Sequence, residues 1–312
     1  MAAARVRSAG ASHEGPARSH NEDAFGIVED ATAALVVVAD GLGASQSGRN
    51  ASDLTVETCL SSFRDRSAAP LDELAEIWWR AEHSEGGRAP RRPYTTLPIA
   101  DRAGLRDRVR LLLEQRVPDA LGDVAVLEGE ARVVLGIPAR ALERANAAIF
   151  RRAEAPDTSR QWRGHGAAAV CVIFAAGQAS IAHVGDCRVS LIRRGSIEAL
   201  TKEHTLVNDY ANVTPALTLT PEQIAEVPTN VITRMIGMMD KVKVDTHVLP
   251  IESGDALVLA SDGLWRAYSP EEIRAAVRAH GVGAAAELVK RGTVARPDHP
   301  GDNLTAVVVE IA

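Results

Sequence analysis

The chain has 312 residues, 46% of them hydrophobic, with 35 Lys and Arg against 41 Asp and Glu, three Cys and a formal net charge of −6. That length and apolar share suffice for one large core, and the mildly acidic balance lacks the clustered Lys and Arg that nucleic acid or an anionic membrane surface would require of a partner. Cys59, Cys171 and Cys187 are too few and too scattered for a disulfide framework or a Cys-based zinc site, and no stretch approaches a signal-peptide core or the ~20 apolar residues of a membrane span, so a cytoplasmic protein is expected.

In chain order, short β-branched or alternating runs appear at ALVVVAD, AAAVCVIFAAG, ASIAHVGD, RVSLIRRG, KVKVDTHVLP, DALVLASDG and NLTAVVVEI. Gly-containing connections between several of them predict antiparallel pairing. Helical spacing appears at SGRNASDLTVETCLSSFRDR, IPARALERANAAIFRRAE, SPEEIRAAVRAH and GAAAELVKRG. The third of these opens with Ser269, Pro270 and Glu272, the pattern of a capping box with proline at the first helical position. Strands cluster and helices stand apart, which predicts an α+β fold rather than a doubly wound parallel sheet.

Residues 64–136 read differently, as helical pieces broken by a Gly/Pro/Arg-rich stretch, and predict a helical insertion in a single domain spanning 1–312. Trp78 and Trp79 are expected to anchor its packing, because adjacent helical aromatics cannot both face one groove. Arg88 to Pro93 reads as a solvated loop.

Four carboxylates recur at strand ends: Asp40 closes ALVVVAD, Asp186 closes SIAHVGD, Asp262 closes ALVLASD, and Asp302 opens DNLTAVVVEI. Each adjoins a glycine (Gly41, Gly185, Gly263, Gly301), so the backbone there can turn tightly and approach a ligand. One Asp-Gly after a strand is usually just a turn, but four over the whole chain are harder to dismiss. Brought together, these carboxylates would repel one another unless cations compensate. An oxygen-only donor set suits Mg²⁺ or Mn²⁺ rather than zinc. Two such cations about 4 Å apart lower the pKa of a bridging water and clamp an in-line displacement, which is phosphoester chemistry. Upstream, Arg18 precedes Glu22 and Asp23 in ARSHNEDAF, and an arginine fork holds a phosphate through two parallel hydrogen bonds.

The blocks ARSHNEDAF, VVVADGLGASQSGRNAS, IAHVGDCRVSLIRRG, LTKEHTLVND, ITRMIG, LVLASDGLW and GDNLTAVVV together resemble the PP2C-type (PPM family) metal-dependent serine/threonine protein phosphatases, bacterial branch. They cover nearly everything outside the insertion, in the family's order. The resemblance implies a central β-sandwich of two antiparallel sheets flanked by helices, in four layers α-β-β-α. It also implies two ions, with a third, weaker one in many members. Asp40 would bridge two metals with the Gly41 carbonyl as a further ligand, and Asp262 and Asp302 would complete the first. Glu22 and Asp23 would act mainly through metal-bound water, and Asp186 would share the third metal with Asp262. Arg18 would grip the substrate phosphate, so that Arg18, Asp40 and Asp262 carry catalysis. Substrates would be phosphorylated proteins, the products of a serine/threonine kinase, acted on by a monomer.

Several positions depart from the family pattern. Leu42 stands where animal members have a histidine, and bacterial members commonly have methionine there. The GTT block reads Gly164-His165-Gly166-Ala167-Ala168, without its hydroxyls. His165 is expected to be exposed rather than catalytic, His183 to be strand-bound and Cys187, in place of serine, to pack. Residues 203–229 fall where the family carries a flap beside the cleft, and their Thr/Pro content fits a mobile substrate-contacting element. A non-catalytic phosphatase-like binding module and a phosphoesterase acting on small molecules stand as the rival readings.

Overall fold

The computed structural model describes residues 6–43, 46–65, 134–154, 165–213, 231–294 and 301–312, with isolated positions 100, 104 and 228. Residues 1–61 with 135–312 make one compact unit and residues 62–134 a second. The insertion read at 64–136, with Trp78, Trp79 and the 88–93 run, lies outside the described residues except at its two ends and at 100 and 104. So does most of the 203–229 segment beyond residue 213.

The first unit begins with β1 (Val6–His13), β2 (Asp23–Glu29), β3 (Ala33–Leu42) and α1 (Gln46–Arg64). After the insertion come α2 (Ile137–Glu154), β4 (Gly166–Ala175), β5 (Gln178–Val184), β6 (Arg188–Arg193), β7 (Ser196–Ala199) and α3 (Leu206–Val213). The chain closes with β8 (Asp245–Pro250), β9 (Ala256–Ala260), α4 (Asp262–Ala267), α5 (Pro270–His280), α6 (Ala284–Gly292) and β10 (Leu304–Ile311). Outside the insertion, every predicted strand and helix is present, and among the described residues β1, β2, β7, α3 and α4 are additional. RVSLIRRG is the first half of a hairpin, since Arg194 and Gly195 both take positive φ (51° and 83°) and turn β6 into β7. The predicted Ser269 cap is formed: its hydroxyl accepts from the Glu272 amide, and the Glu272 carboxylate accepts from the Ser269 amide at 2.8 Å.

Two five-stranded sheets result, ordered β1-β10-β9-β6-β7 and β2-β3-β4-β5-β8, with every pairing antiparallel. The period-2 alternation of side chains builds the layers. Val36, Val38, Val170, Val172 and Ile181 of one sheet meet Leu257, Leu259, Val307 and Val309 of the other in a buried core. The intervening Val258, Ala260, Ala306 and Val308 face outward against Leu264, Ile273 and Leu288 of α4, α5 and α6. On the opposite face α2 packs on β4 and β5, and Val56 and Leu60 of α1 lie over Gly26 of β2. This is the expected α-β-β-α sandwich. Each fully buried Val, Leu or Ile contributes roughly 1.5–3 kcal/mol, so the interior can hold the ends of its strands in fixed positions even where those ends carry like charges.

Candidate metal centre

The antiparallel registers bring the predicted carboxylates to one edge of the sandwich. Asp23 opens β2 directly opposite Asp40 near the end of β3. In the other sheet, Ala306 of β10 pairs with Ala260 of β9, so Asp302 and Asp262 leave these two neighbouring strands at the same edge. Asp186 lies on the short crossing from β5 to β6, which belong to different sheets. The sheets are joined here by Ser261, whose hydroxyl donates to Asp23 Oδ2 at 2.7 Å while its amide donates to the Thr305 carbonyl at 3.1 Å.

The Arg18–Asp23 segment is tied down at several points. Asn303 Nδ2 donates to the Glu14 and His20 carbonyls at 2.8 and 2.9 Å, and its Oδ1 accepts from the Glu22 amide at 2.9 Å. The Glu22 carbonyl accepts from Ser52 Oγ at 2.5 Å and from the Gly41 amide at 3.2 Å. Arg49 Nη1 reaches the Asn21 and Asp23 carbonyls at 3.1 and 3.2 Å. Arg18 itself donates to Asp302 Oδ2 at 2.9 Å. Its side chain is half exposed, so the guanidinium stands at the rim with donors still facing outward.

The electrostatics of this edge are unfavourable without added positive charge. Burial, followed by the charges of Asp23, Asp262, Asp186 and Asp302, pushes the Asp40 carboxyl well above the usual carboxylate range. Asp23 is pushed up to about 7, by burial first and then by Asp262 and Asp302, against hydrogen bonds from Ser261 and Thr305. Asp186 is likewise pushed up to about 7, by burial and Asp262, with Arg266 opposing. Asp262 is raised by burial and by Asp302, against Arg266, and Glu22 is raised by burial, against Arg18. Glu22 Oε1, Asp23 Oδ1 and Asp186 Oδ1 are buried with no hydrogen-bond partner among the described residues. Buried carboxylate oxygens are rarely left so. A Cβ added at Gly48 would stand 2.9 Å from both Glu22 Oε1 and the Gly41 carbonyl oxygen, so glycine there keeps open a gap lined by two oxygen donors. Clustered carboxylates, orphaned oxygens and that gap together fit hard divalent cations.

Among the described residues, histidines do not extend this donor set. His183, His204 and Asp245 bring ligand atoms within 4.8 Å of one another, but Arg234 Nη1 already lies 2.9 Å from His204 Nε2 and 2.7 Å from Asp245 Oδ1. His204 Nδ1 accepts the Gly185 amide at 3.0 Å, which leaves the proton of the neutral ring on Nε2, facing Asp245 Oδ2 at 3.2 Å. The group is a pin beside the Gly185–Asp186 turn, with an arginine as its cation. His165, expected to be exposed, is buried at 8% exposure, and both ring nitrogens are without a hydrogen-bond partner among the described residues; a glycine at position 43 makes room for its ring, and burial lowers its pKa. His183 is strand-bound in β5, and Cys187 is fully buried in the sandwich core, where burial pushes the thiol well up. Loss of the two threonines leaves the ladder intact, with Ala168 paired opposite Asp40.

Sequence reasoning found every carboxylate of this edge and missed what holds them. Ser261 and Asn303 adjoin predicted ligands, and Ser52 and Arg49 lie in a predicted helix. Nothing in their spacing shows that they reach across sheets and loops. Trp265 and Arg266, inside the SDGLWRA run, also went unread.

A sandwich whose edge gathers six carboxylates around orphaned oxygens is a scaffold for a divalent-metal hydrolase. The family described as protein phosphatase 2C matches residues 9–282, and the chain belongs to that family of serine/threonine phosphatases. It is 26% identical over 252 residues to the serine/threonine phosphatase stp of Listeria welshimeri, covering 80% of this chain and 74% of that one. With protein phosphatase PhpP of Streptococcus pneumoniae it shares 40% identity over 114 residues, 36% of this chain and 45% of the relative. In fold it is similar to the catalytic domain of the serine/threonine protein phosphatase PstP, solved in complex with two manganese ions, with a TM-score of 0.62 at 23% identity over 98% of both chains.

Proposed function

We propose that this edge binds two Mg²⁺ or Mn²⁺ ions and hydrolyses phosphoserine and phosphothreonine in proteins. The observation that carries the reading is the set of buried, unpartnered oxygens of Glu22 and Asp23 beside Asp40, Asp262 and Asp302. Asp40 stands central to the cluster and, with the Gly41 carbonyl, would face both ions. Asp262 and Asp302, from the other sheet, would complete one of them, and Glu22 and Asp23 would contribute from the outer side. When bound, the ions supply the positive charge that makes a water nucleophilic at neutral pH and offsets charge on the transferring phosphoryl group.

The chain's own residues do the rest. Ser261 and Asn303 hold Asp23 and Glu22 in place, so little reorganisation is left for the moment of reaction. Arg18, anchored on Asp302, offers its remaining N–H groups to the equatorial oxygens of a phosphate at the mouth of the site. Leu42 carries no transferable proton, so the leaving alkoxide is not protonated from that position. Retention of all the carboxylates and of Arg18 favours turnover over a binding-only module.

Phosphorylated products of a serine/threonine kinase are the substrates this reading implies, and a monomer suffices because one chain supplies every site residue. Among the described residues no helix is long and apolar enough to cross a membrane. Three buried, unpaired cysteines fit the reducing conditions of the cytoplasm. The test is hydrolysis of a phosphothreonine peptide by the purified protein with added Mn²⁺, compared with EDTA and with Asp262→Asn. Activity requiring both metal and Asp262 is expected; silence from folded, metal-loaded protein would return the binding-module reading.

A further inference from the structure

The family resemblance leads one to expect a third cation between Asp186 and Asp262, and in this chain a side chain already stands there. Asp262 and Arg266 lie one turn apart on α4, and Arg266 Nη1 is 3.5 Å from Asp262 Oδ2. Arg266 Nη2 is 3.8 Å from Asp186 Oδ2. The Asp186 side chain is only 2% exposed and that of Arg266 24%, so this cation faces two carboxylates at a largely buried position.

Its seat is built. The guanidinium carbon of Arg266 lies 5.1 Å from the centroid of the Trp265 ring, and that of Arg188 lies 3.9 Å from it. Trp265 Nε1 donates to the Asp186 carbonyl at 2.9 Å, and the preceding Gly185 amide is held by His204. Arg188 is fixed in turn by Glu203, with Nε to Oε1 at 2.6 Å. The Asp186 backbone, the indole and Arg188 therefore form one connected unit, with the Arg266 guanidinium beside the same ring.

Resting on the two-ion reading above, we infer that Arg266 takes the place of a third divalent cation at the Asp186–Asp262 pair, so that this chain is a two-ion phosphatase with a built-in third positive charge. An ion bound to these two Oδ2 atoms would share them with a guanidinium that cannot lose its proton. Arginine also binds carboxylates without depending on the free metal concentration, so this positive charge remains when metal is scarce.

The test counts ions rather than turnover. Bound Mn²⁺ per chain is measured by equilibrium dialysis and elemental analysis over a range of free Mn²⁺, for wild type, Arg266→Gln, Arg266→Lys, Asp186→Asn and the Arg266→Gln/Asp186→Asn double variant. Glutamine keeps much of the stem and removes the charge; lysine keeps a charge and controls for folding. Two ions are expected in wild type, Arg266→Lys and Asp186→Asn, three in Arg266→Gln and two again in the double variant. Three ions in wild type, falling to two in Asp186→Asn, would show that Asp186 serves a third ion despite Arg266 and would overturn the inference. Two ions in folded Arg266→Gln would overturn it as well, since Arg266 would then not be what keeps the third ion out. No bound ion in wild type would instead sink the two-ion centre, and this inference with it.

Discussion

Strand β9 carries an aspartate at each end, and the two ends are finished in opposite ways. Asp255, just before the strand, is 2% exposed and accepts Arg193 Nε at 2.8 Å, Arg193 Nη2 at 2.6 Å and the Glu252 amide at 2.7 Å. Although burial alone would raise it, those donors hold its carboxyl below the usual range. Asp262, just after the strand, meets Arg266 at 3.5 Å and takes hydrogen bonds from the Gly263 backbone and from Asp40, yet burial and the neighbouring Asp302 still raise its carboxyl. The same residue type beside the same strand is complete as a structural contact at one end and left short of compensating charge at the other. Burial and charge alone therefore do not mark a metal ligand, because Asp255 has both. What separates the two is their company, matched donors around Asp255 and further carboxylates around Asp262.

The largest expected effect comes from the end left short of charge. Asp40→Asn and Asp262→Asn are each expected to lower phosphopeptide turnover by about 10³-fold or more, since each removes charge that preorganises the reaction centre. Metal-free thermal stability should be unchanged or slightly higher, because a like charge has been removed from a crowded edge. Undiminished turnover in either variant would refute the metal assignment. Asp255→Asn should reverse that pattern. Breaking a buried ion pair while leaving Arg193 behind costs roughly 2–4 kcal/mol, read as a lowered denaturation midpoint, with kcat per folded molecule preserved.

Metal sharpens the same contrast. Mn²⁺ at about 100 times its Kd stabilises a protein that binds it only when folded by about 2.7 kcal/mol per site, so it should raise the melting temperature of wild type and of Asp255→Asn. It should do so much less for Asp40→Asn. A smaller change is expected from Arg18→Ala: about a tenfold higher KM for the phosphopeptide with kcat largely kept. Lysine should rescue only partly, because it cannot present a planar fork. Unchanged kinetics with a stability change alone would make the Arg18–Asp302 bond merely structural.

The sandwich was legible in the sequence wherever apolar residues ran unbroken or alternated, as at β3, β4, β9 and β10. It was not legible at β1, where VRSAGASH has few large apolar residues. That strand is fixed by partners distant in sequence: it pairs with β10 along its whole length, from Val6 opposite Ile311 to His13 opposite Leu304. Its Gly10 leaves room for the ring of Phe25. Asp40, Asp186, Asp262 and Asp302 were legible because each lies at the end of an apolar strand beside a glycine. Arg266 was not, because an arginine four residues after an aspartate reads as an ordinary helical pair. Only the crossing of β5 into β6, which brings Asp186 to the same guanidinium, gives it another meaning.

The smallest expected effect concerns the pin beside Asp186. His204 has its pKa lowered to about 4, by burial first and then by His183 and Arg234, against the pull of Asp245. The ring is thus neutral when folded, with Nδ1 accepting the Gly185 amide; a proton there would set donor against donor. In the unfolded chain an ordinary histidine takes up its proton near pH 6.5. Between about pH 6.5 and 4 the unfolded state therefore binds more protons, and the stability that His204 contributes is full above that window, falls as pH drops through it and levels off below. His183 is lowered in the same direction, so the decisive comparison is with His204→Asn, whose side-chain oxygen can still accept the Gly185 amide but does not titrate. The difference in melting temperature between wild type and His204→Asn should shift against wild type as pH falls from 6.5 to 4. A difference independent of pH would mean that His204 is not held neutral in the folded protein, and that the Gly185–Asp186 turn is fixed by something other than this acceptor.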